Sequence, residues 1–211
     1  MDGDQQAADV PDPESSVEVA AKERDEKPSM RWLVELVGVV VVAIVVAVLL
    51  RTFVVATYSI PSGSMEPTLQ IGDRIVVNKL SYHVHGVDRG NIVVFTTPPN
   101  ENCAGPPVSD LVKRVIGLPG EIVSLKDGRV FIDGHLLPEP FLPPDLRNDS
   151  DPGPSSNAYS LHKPYRVPPG EVYVMGDNRP ESCDSRYWGP IHESTIVGKV
   201  DLRIWPLSRI G

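Results

Sequence analysis

Trp32 to Leu50 is a continuous apolar run, WLVELVGVVVVAIVVAVLL, in which Glu35 is the single ionisable residue. Valine favours strands, but soluble strands do not run this long. At about 1.5 Å of rise per residue, a helix over this stretch reaches roughly 28 Å, close to the thickness of the hydrocarbon layer. The pattern predicts one transmembrane helix over 32–51. A cleaved secretory signal would begin with a short basic region, whereas the region before this run is long and acidic, so an uncleaved anchor is expected.

Beyond the anchor the period changes from helical to alternating. DRIVVNKLSY (73–82), NIVVF (91–95), DLVKRVIG (110–117), EIVSLKDGRVFIDG (121–134), EVYVMG (171–176) and TIVGKVDLRIW (195–205) are rich in β-branched residues and separated by turn signals. Lys126-Asp127-Gly128 sits between IVSL and RVFI, which predicts a hairpin with Asp-Gly at its tip. The fold class expected is mainly β, an antiparallel domain over 52–211 preceded by the single helix. Between 138 and 169 the chain becomes polar and proline-rich, as in PEPFLPPDLRNDSDPGPSS, and is expected to form an exposed insertion.

Charge refines this picture. Residues 1–30 hold nine acids against Lys22, Arg24 and Lys27, a net charge of −6, which leaves −2 of the chain's −8 for the remainder. The 1–31 segment has the composition of a disordered tail. The near-neutral remainder lacks the basic face that nucleic acid requires, so no nucleic-acid partner is expected. Lys22, Arg24, Lys27 and Arg31 precede the apolar run and Arg51 alone closely follows it. That asymmetry predicts a cytoplasmic N-terminus and a single pass through the cell membrane, with everything from about Thr52 outside. Disulfides are permitted there, and the chain has two cysteines, Cys103 and Cys183.

Candidate chemistry is concentrated in three places. IPSGSMEPTL (60–69) brackets Ser62, Gly63 and Ser64 between Pro61 and Pro67, stiff at both ends and permissive in the middle; an ordinary linker shares this composition. In DLVKRVIGLPG, strand alternation puts Leu111, Lys113 and Val115 on one face. An amine among aliphatic neighbours loses affinity for its proton and can act as a base, whereas Arg114, on the opposite face, is expected to be an ordinary exposed cation. A surface lysine on an edge strand is the alternative. MGDNRPESCDSRYWG (175–189) crowds Asp177, Asn178, Arg179, Ser182, Asp184, Ser185 and Arg186 behind a strand, as polar scaffolding or as a site.

Other constellations are weaker. No G-x-S-x-G elbow surrounds Ser64, and His83, His85, His135, His162 and His192 form no triad pattern. His83 and His85 with Asp88 lack the ligand number and spacing of structural zinc, so no metal is expected. Ser160-Leu-His-Lys163 has the spacing of a one-helix Ser/Lys pair, but Pro164 biases Lys163 away from helical geometry.

The anchor, IPSGSMEPTL, KRVIGLPGE and GDNRPESCDSRYWGP, in this order, together resemble the type I bacterial signal peptidases, membrane-bound Ser/Lys endopeptidases. The resemblance implies Ser64 as nucleophile and Lys113 as its base. It implies Ser62 beside the Ser64 N–H in the oxyanion hole, and Ser182 hydrogen-bonded to the Lys113 amine. Asp184 with Arg186 would be a supporting ion pair and Asp177 a structural acid. The partners implied are secretory preproteins, cut after small residues of the A-x-A kind, and the lipid bilayer; no cofactor is called for, and the oligomeric state is left open. The substrate would add as a strand near 60–66 and 108–113. Ser64 follows Leu50 by about fourteen residues, which predicts a site near the outer leaflet. Proximity of Ser182 to Lys113 would bring Cys103 and Cys183 together as a disulfide, two buried thiols being the alternative. Two other classes fit parts of the pattern: a self-cleaving repressor-type Ser/Lys protease, against which the membrane span argues, and a non-enzymatic anchored β-domain that binds cell-envelope partners.

Overall fold

The computed structural model describes residues 30–101, 103, 108–147, 150, 153 and 158–211. The acidic tail and part of the proline-rich tract lie outside the described residues. The chain divides into two units, one ending at Val46 and one spanning Ala47–Gly211.

Helix α1 (Met30–Phe53) includes a 20-residue stretch, Met30–Leu49, long and apolar enough to cross a membrane, and none of that stretch is buried in protein. Its side chains are apolar around the whole circumference, as expected of a helix solvated by lipid.

The strands of the second unit pair only antiparallel among the described residues. Seven strands lie in the order β1-β2-β11-β3-β4-β9-β10. They are β1 (Val55–Ser59), β2 (Arg74–Asn78), β3 (Ile92–Thr96), β4 (Asp110–Gly117), β9 (Glu171–Met175), β10 (Ile191–His192) and β11 (Ile196–Trp205). A second sheet, in the order β7-β6-β5-β8, contains β5 (Ile122–Lys126), β6 (Arg129–Ile132), β7 (His135–Leu136) and β8 (Tyr165–Arg166). Asp127 and Gly128, at φ 50° and 69°, turn β5 into β6, the left-handed pair that an Asp-Gly hairpin tip demands. Short helices α2 (Ser81–Val84), α3 (Pro144–Arg147) and α4 (Ser185–Trp188) fill connections. The predicted strand over 73–82 stops at Asn78, because its last residues turn into α2.

Three apolar clusters hold these layers. Ile60, Met65, Leu69, Ile75, Val77 and Val94 pack beneath the serine loop. Val93, Phe95, Val115, Val172, Val174 and Trp188 pack around β4 and β9. Ile116, Val123, Val130, Tyr173 and Met175 join the two sheets.

Among its described residues the proline-rich tract is exposed at some positions and buried at others, so it is not exposed throughout as its composition predicts. Glu139, Leu142, Ser150 and Leu161 are buried. Glu139 and Ser150 meet a buried arginine, so these positions of the tract are packed into the domain.

Candidate active site

Ser64 sits in a single 3₁₀ turn, Gly63–Met65, entered through an extended Ser62 at φ −134° and ψ 156°. The ends of the loop are tied together. The Ile60 N–H donates to Asp73 O and the Gly72 N–H to Ile60 O, each at 2.9 Å. Met65 and Leu69 are sunk in the core on one side of the turn, which leaves Ser64 half-buried on the other. The loop is therefore not a linker; its hydrophobic residues fix where the hydroxyl points.

Lys113 meets it from β4. Its Nζ lies 2.6 Å from Ser64 Oγ, and the lysine is only 3 % exposed. Leu111 and Val115, on the same face of the strand, belong to the apolar cluster around β4. Burial pulls the amine down from its ordinary value of 10.5 to about 8; Asp184 opposes that, Arg186 adds to it, and Asp177 and Glu101 oppose it more weakly. A neutral amine in hydrogen-bond contact with a hydroxyl has the arrangement that a general base and a nucleophile need.

The loop after β9 walls this pair. Asp184 and Arg186 are fully buried and joined twice, Nε to Oδ1 and Nη2 to Oδ2, both at 2.8 Å. Burial alone would raise the Asp184 carboxyl, but Arg186 and the Gly176 N–H, 2.9 Å from Oδ2, outweigh it and hold the group below the usual carboxylate range. Arg186 Nη2 also donates to Arg179 O and Ser182 O, so one guanidinium braces three turns of the loop.

Asp177 takes two bonds from Arg114, Nε to Oδ1 at 2.8 Å and Nη2 to Oδ2 at 2.6 Å, and a third from the Thr68 hydroxyl. Arg114 is thus not the exposed cation that alternation suggests. It is buried, with its guanidinium 3.9 Å from the Phe141 ring centre, because a residue of the proline-rich tract covers that face of β4.

Ser182 also departs from expectation. Its side chain is buried, yet its hydroxyl has no hydrogen-bond partner among the described residues and does not bond Lys113. The space beside it is filled instead by the Gly176 backbone: a Cβ on Gly176 would lie 2.2 Å from Ser182 Oγ and 2.4 Å from Ser64 O. Glycine is required there by close approach, not by an unusual dihedral.

Ser62 Oγ is exposed and lies 3.5 Å from Ser64 Oγ. Cys103 and Cys183 are placed as a bonded pair, with Cα atoms 6.2 Å apart. His162 contacts Gly153 O and His192 contacts Ser194; neither contact involves Ser64 or Lys113. Lys163 is exposed in a bend rather than on a helix with Ser160. Among the described residues, Glu101, Cys103 and Cys183 form the one cluster of possible metal ligands, and its two cysteines are already paired with each other.

Two contributors to the site were not legible in the sequence. Asn178 donates its backbone N–H to Ser64 O at 3.1 Å and its side-chain N–H to Gly63 O at 3.2 Å. Arg179 is fully buried and paired with Glu139 from forty residues upstream. Both lie within the polar 175–189 cluster, but nothing local marks which acceptors they find.

Residues 33–205 match the family described as signal peptidase, peptidase S26. Signal peptidase I of Leptolyngbya laminosa is 38% identical over 182 residues, covering 85% of this chain and 83% of that one. Signal peptidase I of Bacillus caldolyticus is 39% identical over 173 residues, 81% of this chain and 90% of that one. Signal peptidase IB of Staphylococcus aureus is 34% identical over 197 residues, 87% and 93% of the two chains.

Proposed function

The chain belongs to the signal peptidase family, peptidase S26, and from that premise we propose that Ser64 and Lys113 form its catalytic dyad. It is a serine endopeptidase that removes signal peptides from secretory preproteins. The observation that carries the dyad is the buried Lys113 amine, 2.6 Å from Ser64 Oγ and with its pKa depressed to about 8.

Neutral Lys113 Nζ takes the Ser64 hydroxyl proton as Oγ attacks the scissile carbonyl carbon. The resulting oxyanion is held by the Ser64 N–H and the Ser62 hydroxyl. The Lys113 ammonium then gives its proton to the leaving amine, the C–N bond breaks, and the signal peptide remains as an ester on Ser64. Water, deprotonated by the same amine, attacks the ester and restores the hydroxyl. Asp184 and Arg186 brace the wall of the site, and Asp177 fastens β4 to Thr68 of the serine loop through its own side chain.

Register supports strand addition of the substrate. Strand β9 pairs with β4 only over Arg114–Gly117, while β3 pairs with it from Asp110 to Arg114. Among the described residues, Asp110–Lys113 therefore has no strand partner on that edge, which ends at the base, and an extended peptide can dock there and deliver an A-x-A sequence to Ser64.

The N-terminal apolar helix makes this a membrane-anchored protein. The lysine and arginine bias ahead of it supports a cytoplasmic tail over 1–31, an anchor over 32–51 and an extracytoplasmic peptidase domain over 52–211. A Cys103–Cys183 disulfide suits that compartment.

The test is cleavage of a preprotein reporter by the detergent-solubilised full chain, with the cut mapped by mass spectrometry. The expected cut follows A-x-A and disappears in Ser64→Ala. Cleavage that survives Ser64→Ala overturns the assignment, and absence of any cleavage favours a binding domain.

A further inference from the structure

Asn178 grips the nucleophile's backbone from both sides, and we propose that its side-chain amide is a positioning residue that aims the Ser64 N–H at the oxyanion. The inference rests on the reading of Ser64 as nucleophile and adds to it a residue outside the dyad. The Gly63 carbonyl and the Ser64 N–H belong to one planar trans peptide, so they point in opposite directions and move together. Gly63 O accepts two bonds, from the Glu66 N–H at 3.0 Å and from Asn178 Nδ2 at 3.2 Å. With both acceptor positions occupied, the carbonyl cannot swing, and the N–H on the other edge of the same plane is fixed in direction. The Ser64 carbonyl, on the next peptide plane, is held by the Asn178 backbone N–H at 3.1 Å. One residue thus clamps both peptide planes that flank Ser64.

The orientation of the amide is itself determined. Glu181 Oε2 lies 3.3 Å from Asn178 Nδ2, so both acceptors facing this group, Gly63 O and the Glu181 carboxylate, require the NH₂ and not the carbonyl end. The carboxylate also polarises the amide toward stronger donation to Gly63 O, and that bond in turn polarises the peptide whose N–H would meet the oxyanion. Glu181 is exposed, so its contribution is screened and should be the smaller of the two.

The experiment compares wild type, Asn178→Leu and Glu181→Gln as full chains in detergent. The backbone bond from residue 178 to Ser64 O survives both substitutions, so only the side-chain amide and its orienter are tested. Asn178→Leu should lower kcat by about 10- to 100-fold, less than the roughly 10²–10³ lost with a direct oxyanion donor. KM for the reporter and the pH midpoint of kcat should stay at wild-type values. Affinity for a peptide aldehyde ending in alanine, whose adduct carries the oxyanion, should fall by the same factor as kcat/KM, while affinity for a non-cleavable peptide of the same sequence stays constant. Glu181→Gln should move in the same direction by a smaller factor, and as a surface change it keeps the test open if Asn178→Leu folds poorly.

The proposal is overturned if both variants melt like wild type and retain its kcat and aldehyde affinity. It is equally overturned if the loss appears in KM and in non-cleavable peptide binding, the signature of a loosened fold. A Ser64→Ala enzyme that still turns over would sink the underlying dyad instead, whereas a dead Ser64→Ala beside unaffected Asn178 and Glu181 variants sinks only this inference.

Discussion

Glu139, in the proline-rich tract, holds both terminal nitrogens of Arg179, in the loop that carries Ser182 and Asp184. Both partners are buried, and Ser150 of the same tract accepts a third bond from the guanidinium at 2.9 Å. Removing one partner of a buried pair leaves the other charge uncompensated. Glu139→Ala should therefore destabilise the domain by about 3–5 kcal/mol, and replacement of both residues by Leu and Met should cost much less. Urea unfolding of the two variants checks this; equal losses would show that the pair matters for packing and not for charge.

The buried Lys113 amine should make stability depend on pH. Its pKa is about 8 in the folded chain and its ordinary value is 10.5, so between these pH values the unfolded state binds more protons. Wild-type stability should rise with pH through that window and carry its full penalty, about 3 kcal/mol at most, below pH 8. Lys113→Met should be inactive yet more stable than wild type at pH 6.5, with the advantage shrinking as pH approaches about 10.5. Calorimetric melting across this range reads the effect. A wild-type curve parallel to that of the variant would remove the buried amine from the account.

Gly176→Ala tests the closest packing in the site. Its methyl group would lie 2.4 Å from Ser64 O and 2.2 Å from Ser182 Oγ, so the backbone at Ser64 must shift to admit it. A displacement of about 1 Å at a reacting pair can cost on the order of 10²-fold. The variant should lose that much kcat while retaining the far-UV circular dichroism of wild type, and unchanged turnover would show that the loop is not held as described.

Much of this arrangement was legible in the sequence, and the exceptions have physical causes. Alternation placed Lys113 between Leu111 and Val115 correctly, because that face of β4 packs on the apolar cluster. The same alternation could not say that the Arg114 face is also covered, since Phe141 and Asp177 arrive from 27 and 63 residues away. Proline content disguised the 138–169 tract: composition reports exposure on average and does not show that Glu139 and Leu142 are buried. Strands β7, β8 and β10 are two residues each, too short to show a period. The two clamps on Gly63 and Ser64 come from Asn178, whose partner choice depends on the tertiary fold alone.

Cys103 and Cys183 close a loop of 80 residues beside Asp184. Peptide mapping of the non-reduced, alkylated protein should recover them as one linked pair. Cys103→Ser with Cys183→Ser should lose roughly 4 kcal/mol in the chain-entropy model, less any strain. Alkylation of both thiols without prior reduction would rule the bridge out.

The central claim, that a neutral Lys113 activates Ser64, is tested most directly by trapping the ester. An activated ester of an Ala-x-Ala peptide is mixed with the full chain, quenched in acid within one turnover and digested for mass spectrometry. The peptidyl group should appear on Ser64, formed faster as pH rises through about 8 and lost in Lys113→Ala. A peptidyl group on any other residue, or one that forms on Ser64 at the wild-type rate in Lys113→Ala, would contradict that claim.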